Sequence, residues 1–387
     1  MGKSQKSYSE ETHCVHHFNN VEINTRGLNT PVEPASAFKY QEGTANTYPR
    51  YYNTINQKVI CSKIAALEKT EEAIVFSSGM AAIATTMFSF VNAGEHIVFY
   101  SELYGGTYNL IFEELDKRKI SYSVVEEKTA EAFKKNINRN TKVIYFETPT
   151  NPLLSIVDID IIASVARDNN IVSIIDNTFA SPINQNPAEH GIDLVIHSGT
   201  KYLGGHSDLS FGAVAGKKDL IGKVLKTAIN YGGNLNPLDC YLIERSLKTL
   251  DVRVKRQNEN ALAIANFLQK HDLVETVYYP GLQNHPMHKV AKKQMKGFGG
   301  MLSFELTAKS EDKKKAFLDS LEIVAKALSL GGVESNICAP SDTSHIKMSR
   351  EDRLGIGVSD NLLRLSVGIE NTDDLINDLE HALEKTI

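Results

Sequence analysis

The stretch "IHSGTKYLGGHSDLSFGAV", Ile196 to Val214, sets one lysine, Lys201, between an apolar run and a pair of glycines. Its residue types admit three chemistries: a phosphate-binding loop, a metal site on His206 and Asp208, or a lysine nucleophile awaiting a carbonyl partner. The run that leads into it, "DLVIHS" (193–198), and the run that closes it, "GAVAG" (212–216), read as strands. Lys201 therefore follows a strand end.

Five earlier runs have the same texture: "AIVFSS" (73–78), "HIVFY" (96–100), "SYSVV" (121–125), "KVIYFE" (142–147) and "IVSIID" (171–176). Helix-like stretches such as "GMAAIATTMFSFV" and "IDIIASVARDN" lie between them. β-Branched runs alternating with helices predict an α/β fold with a mostly parallel, buried, seven-stranded sheet. Active residues are expected at the carboxyl ends of its strands. Residues 1–57 lack clear periodicity and read as a polar, extended arm. Helical spacing begins in "KVICSKIAALEKTE", at residue 58. A long amphipathic stretch covers about 237–270, followed by a smaller α+β pattern with "MLSFEL" (301–306), "LLRLSVG" (362–368) and a closing helix "DDLINDLEHALEK". The expected division is an arm (1–57), a ligand-binding domain (58–245) and a smaller C-terminal α+β domain (246–387).

Composition narrows the function. The 387 residues carry a net charge of −5, with no basic footprint for nucleic acid. The four cysteines, Cys14, Cys61, Cys240 and Cys338, form no CxxC pair, which opposes a disulfide framework or a zinc knuckle. No apolar run approaches the roughly 20 residues of a membrane span, and the polar start has no signal-like core. A cytoplasmic protein without nucleic-acid or membrane partners is expected. The histidines of "THCVHH" (12–17) read as part of a polar arm, and His206 with Asp208 lacks further ligands, so no metal is expected.

Asp176 ends one strand, and Lys201 follows the next, 25 residues later. Alone, Asp176 reads as a turn residue and Lys201 as a surface lysine. Together with Ser198 and Thr200, they ask for one ligand that accepts an anion, hydroxyls and an amine. Pyridoxal 5'-phosphate is such a ligand: its ring nitrogen needs a carboxylate, its aldehyde a lysine, and its phosphate hydroxyls and backbone N–H groups. "FSSGMAAIATT" offers a strand running into a helix through Gly79 and Met80, although an ordinary strand–helix turn explains that piece equally well. The rival loops are incomplete. Lys201 lacks the Walker pattern, and "LGIGVSDN" is not GxGxxG.

The chain resembles the cystathionine-γ-synthase/γ-lyase group of pyridoxal-phosphate enzymes, the Cys/Met metabolism family of fold type I. The motifs that carry the resemblance are "YPRYYN", "SSGMAA", "ELYGGTY", "ETPTNP", "IIDNTF", "HSGTKYLGGHSD", "SLGGVES" and "LLRLSVGIENTDDLINDLEHAL", in order from about residue 26 to the end. The resemblance implies that Lys201 is the Schiff-base lysine, Asp176 the partner of the ring nitrogen, and Tyr104 the residue that stacks on the ring and moves protons. It implies a phosphate cup of Gly79, Met80, Ser198 and Thr200. Tyr48 and Arg50 would reach the phosphate of a neighbouring subunit, with Tyr48 also near the substrate, in a homotetramer of two active dimers. Arg364 would grip the substrate carboxylate, with Ser329 and Asn151 as helpers around the carboxylate and the cofactor oxygen, Asn151 thus binding the cofactor as well.

The implied reaction is elimination of the sulfur substituent from methionine, cystathionine or a related sulfur amino acid, giving a 2-oxo acid, ammonia and a thiol. The alternatives are γ-replacement on an O-acyl-homoserine, as in a cystathionine γ-synthase, and, behind it, a cystathionine β-lyase. Three positions depart from the family pattern. Thr47 and Leu328 stand where enzymes acting on cystathionine often carry acidic residues. Gly106 stands where methionine γ-lyases usually carry cysteine.

Overall fold

The computed structural model describes residues 8–16, 27–40, 42–343, 346 and 349–387. His17 of the histidine cluster lies outside them. All seven runs expected as strands are strands: β1 (Glu72–Phe76), β2 (His96–Tyr100), β3 (Ser121–Val125), β4 (Thr141–Glu147), β5 (Val172–Asp176), β6 (Leu194–Ser198) and β7 (Gly212–Gly216). They form one sheet in the order β1-β7-β6-β5-β4-β2-β3. The ladders joining β2 to β6 and β3 are parallel, while β7 runs antiparallel to both of its neighbours, β1 and β6.

Burial explains the continuous apolar runs. Val98, Ile144, Ile175 and Val195 point into one layer of helices, and Phe99, Tyr145, Ile174 and Ile196 into the other. A sheet covered on both faces needs apolar side chains at every position, without alternation.

A second sheet follows, in the order β10-β11-β12-β9-β8. Its strands are β8 (Val274–Tyr278), β9 (Met301–Leu306), β10 (Ala325–Lys326), β11 (Asn336–Cys338) and β12 (Leu362–Ser366). The amphipathic stretch at 237–270 is two helices, Pro237–Leu247 and Leu250–Leu268. One continuous cluster of buried side chains joins helix Ile55–Leu67 and β7, through Leu250–Leu268, to β9 and β12. The two sheets thus share a core, which fixes Arg364 on β12 relative to the strand ends of the first sheet.

The N-terminal segment is not extended throughout. Glu10–Val15 is a helix that buries Cys14, and the Lys63 ammonium donates to the Cys14 carbonyl at 3.3 Å. Pro49–Tyr51 forms a 3₁₀ turn, and helix Ile55–Leu67 begins behind a capping box of Thr54 and Gln57. Among the described residues, no helix is long and apolar enough to cross a membrane.

Candidate active site

The carboxyl ends of the first sheet open onto a cavity of about 1230 Å³. Ten of the expected site residues line it: Gly79, Met80, Tyr104, Asn151, Asp176, Ser198, Thr200, Lys201, Ser329 and Arg364. Tyr48 and Arg50 do not. Tyr48 is exposed, and Arg50 Nη1 donates to the Ile229 carbonyl at 2.6 Å. Among the described residues no group of three His, Cys, Asp or Glu side chains is arranged to hold a metal.

Asp176 is the last residue of β5, flanked in register by Glu147 on β4 and Ile196 on β6. It is buried, and one oxygen accepts the Thr178 N–H at 2.9 Å. Burial raises its pKa, against the pull of Thr178 and nearby His197. Behind it, His197 and Glu68 form a buried pair at 2.5 Å. Asn177 donates to the same Glu68 oxygen at 3.0 Å.

Lys201 follows β6 on a tight turn. Its carbonyl accepts the Gly205 N–H at 2.7 Å, and Gly205 has a positive φ of 68°. A Cβ there would run into the Arg253 guanidinium, so glycine is required both by conformation and by space. The Lys201 ammonium donates to Ser329 Oγ at 2.7 Å. Burial, and then the Arg364 cation, bring its pKa down from 10.5 to about 8.

Arg364 reaches from β12 back across the cavity. Its Nη1 donates to Asn151 Oδ1 at 2.9 Å and its Nη2 to the Ser329 carbonyl at 3.3 Å. Its Nε is buried without a partner. A buried donor left unpaired is costly, and a carboxylate ligand would satisfy it.

The residues fit pyridoxal phosphate. Asp176 is a buried carboxyl with no lysine or arginine partner among the described residues, as a cationic ring nitrogen requires. Helix Gly79–Phe90 starts at the cavity, and its first-turn N–H groups at Gly79 and Met80 have no intrahelical acceptor. Gly79 packs so closely on Ser198 that a Cβ would lie 2.8 Å from that side chain. Glycine at this position lets the start of the helix approach the end of β6 closely. Thr178 Oγ1 accepts the Ser198 N–H at 2.8 Å, and Thr200 is pinned to the Phe211 backbone.

Of the three departures, Leu328 and Gly106 line the cavity, and Thr47 does not. A Cβ at Gly106 would lie 2.5 Å from the Tyr104 ring and 2.9 Å from Met80 Sδ, so the present ring position and a cysteine at 106 exclude each other. Glu147, which also lines the cavity, was not singled out from the sequence. The signal was there: "KVIYFE" ends in an acid as "IVSIID" does.

Residues 11–384 match the family described as Cys/Met metabolism PLP-dependent enzyme. The chain is 42% identical over 363 residues to a cystathionine gamma-lyase of Bacillus subtilis, covering 93% of this chain and 95% of that one. It is 43% identical over 330 residues to an L-methionine gamma-lyase of Fusobacterium nucleatum, covering 84% and 83%. The structure of a cystathionine gamma-lyase from Lactobacillus plantarum, complexed with L-serine, superposes with a TM-score of 0.94 at 38% identity, covering 98% of this chain and 99% of that one.

Proposed function

Because the chain belongs to the Cys/Met metabolism PLP-dependent enzymes, we propose that it is a carbon–sulfur lyase. It takes a sulfur amino acid such as methionine or cystathionine through α,γ-elimination to a 2-oxo acid, ammonia and a thiol. When bound, pyridoxal phosphate supplies an electrophilic carbon for the substrate amine and a ring that accepts electron density from Cα. Lys201 would hold its aldehyde, Asp176 its ring nitrogen, and Gly79, Met80, Ser198 and Thr200 its phosphate.

The remaining work falls to the chain. Arg364, with Asn151 and Ser329 beside it, holds the substrate carboxylate through its planar fork. Lys201, with its pKa brought down to about 8, is more readily a free amine than an ordinary lysine, so it can take the Cα proton and then one from Cβ, while the departing sulfur and Cγ each take up a proton. Tyr104, exposed at the cavity mouth, stands ready as a second proton carrier.

The observation that carries the lyase reading is that apolar side chains contribute to the cavity. Met80, Phe112, Leu328, Ile346 and Ile356 line it, which suits an apolar thioether tail. Glu126 and Glu351 line it too, and favour cystathionine as a second reading, since either can pair with a distal ammonium. Tyr48 and Arg50 are proposed to complete the site of a neighbouring copy within a homotetramer, a reading supported by their place outside their own cavity.

Product analysis tests the proposal. With methionine or cystathionine alone, the purified enzyme is expected to release ammonia and 2-oxobutanoate. Negligible release, with consumption of O-acyl-homoserine plus cysteine, would instead make it a γ-replacement enzyme.

A further inference from the structure

Two apolar strands of the first sheet end in acids, side by side. Glu147 closes β4, Asp176 closes β5, and the two are paired in register. Both are buried, at 5% and 8% exposure, and no lysine or arginine offsets either among the described residues. Two ionised carboxylates in adjacent, buried positions repel and lose much of their hydration, so one of them keeps its proton. Asp176 is the one a cationic ring nitrogen would hold ionised. Burial first, and Asp176 next, push Glu147 well above the usual carboxylate range.

Glu147 has a definite contact. Its Oε1 accepts the backbone N–H of Tyr104 at 2.8 Å. A second tie joins the same two segments: Thr150 Oγ1 donates to Glu102 Oε2 at 2.6 Å, and Glu102 Oε1 accepts the Tyr100 hydroxyl at 2.7 Å. The loop between β2 and helix Gly105–Leu110 is thus fastened to the exit of β4 on either side of Leu103. Tyr104 itself is 45% exposed, and among the described residues its side chain makes no N-cap hydrogen bond, so its aim leans on the placement of its backbone.

We propose that Glu147 is a positioning residue for Tyr104: a neutral carboxylic acid that fixes the Tyr104 backbone and leaves Asp176 the single anionic carboxylate of the pair. The inference rests on the reading of this cavity as a pyridoxal phosphate and amino-acid site. A plain strand-end turn would need the same hydrogen bond but no proton on the acid and no link to turnover.

The first test reads the protonation of Glu147 rather than turnover. An infrared difference spectrum of wild-type holoenzyme against Glu147→Gln, at neutral pH, is expected to show the C=O stretch of a protonated carboxyl. A carboxylate stretch overturns the proposal, whatever the reaction proves to be. The second test reads turnover. Glu147→Ala is expected to lower kcat by about 10²-fold with little change in KM, the cost of an ångström-scale misplacement. Glu147→Gln, which keeps an uncharged acceptor opposite the Tyr104 N–H, is expected to restore most of that loss. A Gln variant as impaired as Ala overturns the proposal. In a Tyr104→Phe background Glu147→Ala is expected to add little, and fully additive losses also overturn it. Should the alanine variant fail to fold, Glu147→Asp withdraws the oxygen by one methylene and serves in its place.

Discussion

Lys201 shows how far a residue's chemistry is set by its place. Burial and the Arg364 guanidinium both disfavour its charge and bring its pKa to about 8. A lowered lysine pKa means that the amine is charged below that value and free above it. Competitive acetylation of the apoprotein should therefore label Lys201 with a midpoint near pH 8, while surface lysines stay unreactive until about pH 10 or higher. In Arg364→Ala the midpoint should move up, because a repelling cation has gone. An unmoved midpoint would leave burial as the whole cause. Lys201, Asp176, Ser198 and Thr200 were legible in the sequence because each stands where an apolar run stops. Arg364 and Asn151 were not legible that way. They meet across 213 residues, and only resemblance to a known family pointed to them.

At the scale of elements, the strands of the first sheet could be read because they are buried on both faces and written without polar interruption. β10 and β11, two and three residues long, are held by neighbours in space and carry no pattern of their own. Helix Glu10–Val15 was missed for a related reason: six residues cannot show a period, and packing of Cys14 stabilises it. The helix that faces the cavity depends on its cap. Ser78 Oγ accepts the Ala81 N–H at 3.1 Å, at the turn where Gly79 and Met80 present their own N–H groups. Ser78→Ala should cost about 1 kcal/mol of stability in denaturant unfolding and weaken retention of the cofactor phosphate. If stability falls and cofactor affinity does not, the cap holds the helix without shaping the anion site.

For the whole molecule, the decisive fact is that Tyr48 and Arg50 stand outside the cavity of their own chain. The prediction is made with mixed oligomers. Arg50→Ala and Lys201→Ala should each be nearly inactive alone. After unfolding and refolding together, mixed dimers should each hold one intact site, and on the order of a quarter of the wild-type sites should work. No recovery, with mixing confirmed by mass, would return Arg50 to its own subunit.

The reversed strand β7 also sets a timetable. Among the described residues β1, at 72–76, pairs with β7, at 212–216, and with no other strand. On the ribosome the chain therefore exposes an unmatched edge from early in its synthesis until residue 216 has emerged. The lysine loop lies between β6 and β7, so a nascent chain has its nucleophile before the floor beneath it is closed. A chain stalled short of residue 212 lacks the partner of β1 and leaves that edge open, which makes it work for chaperones.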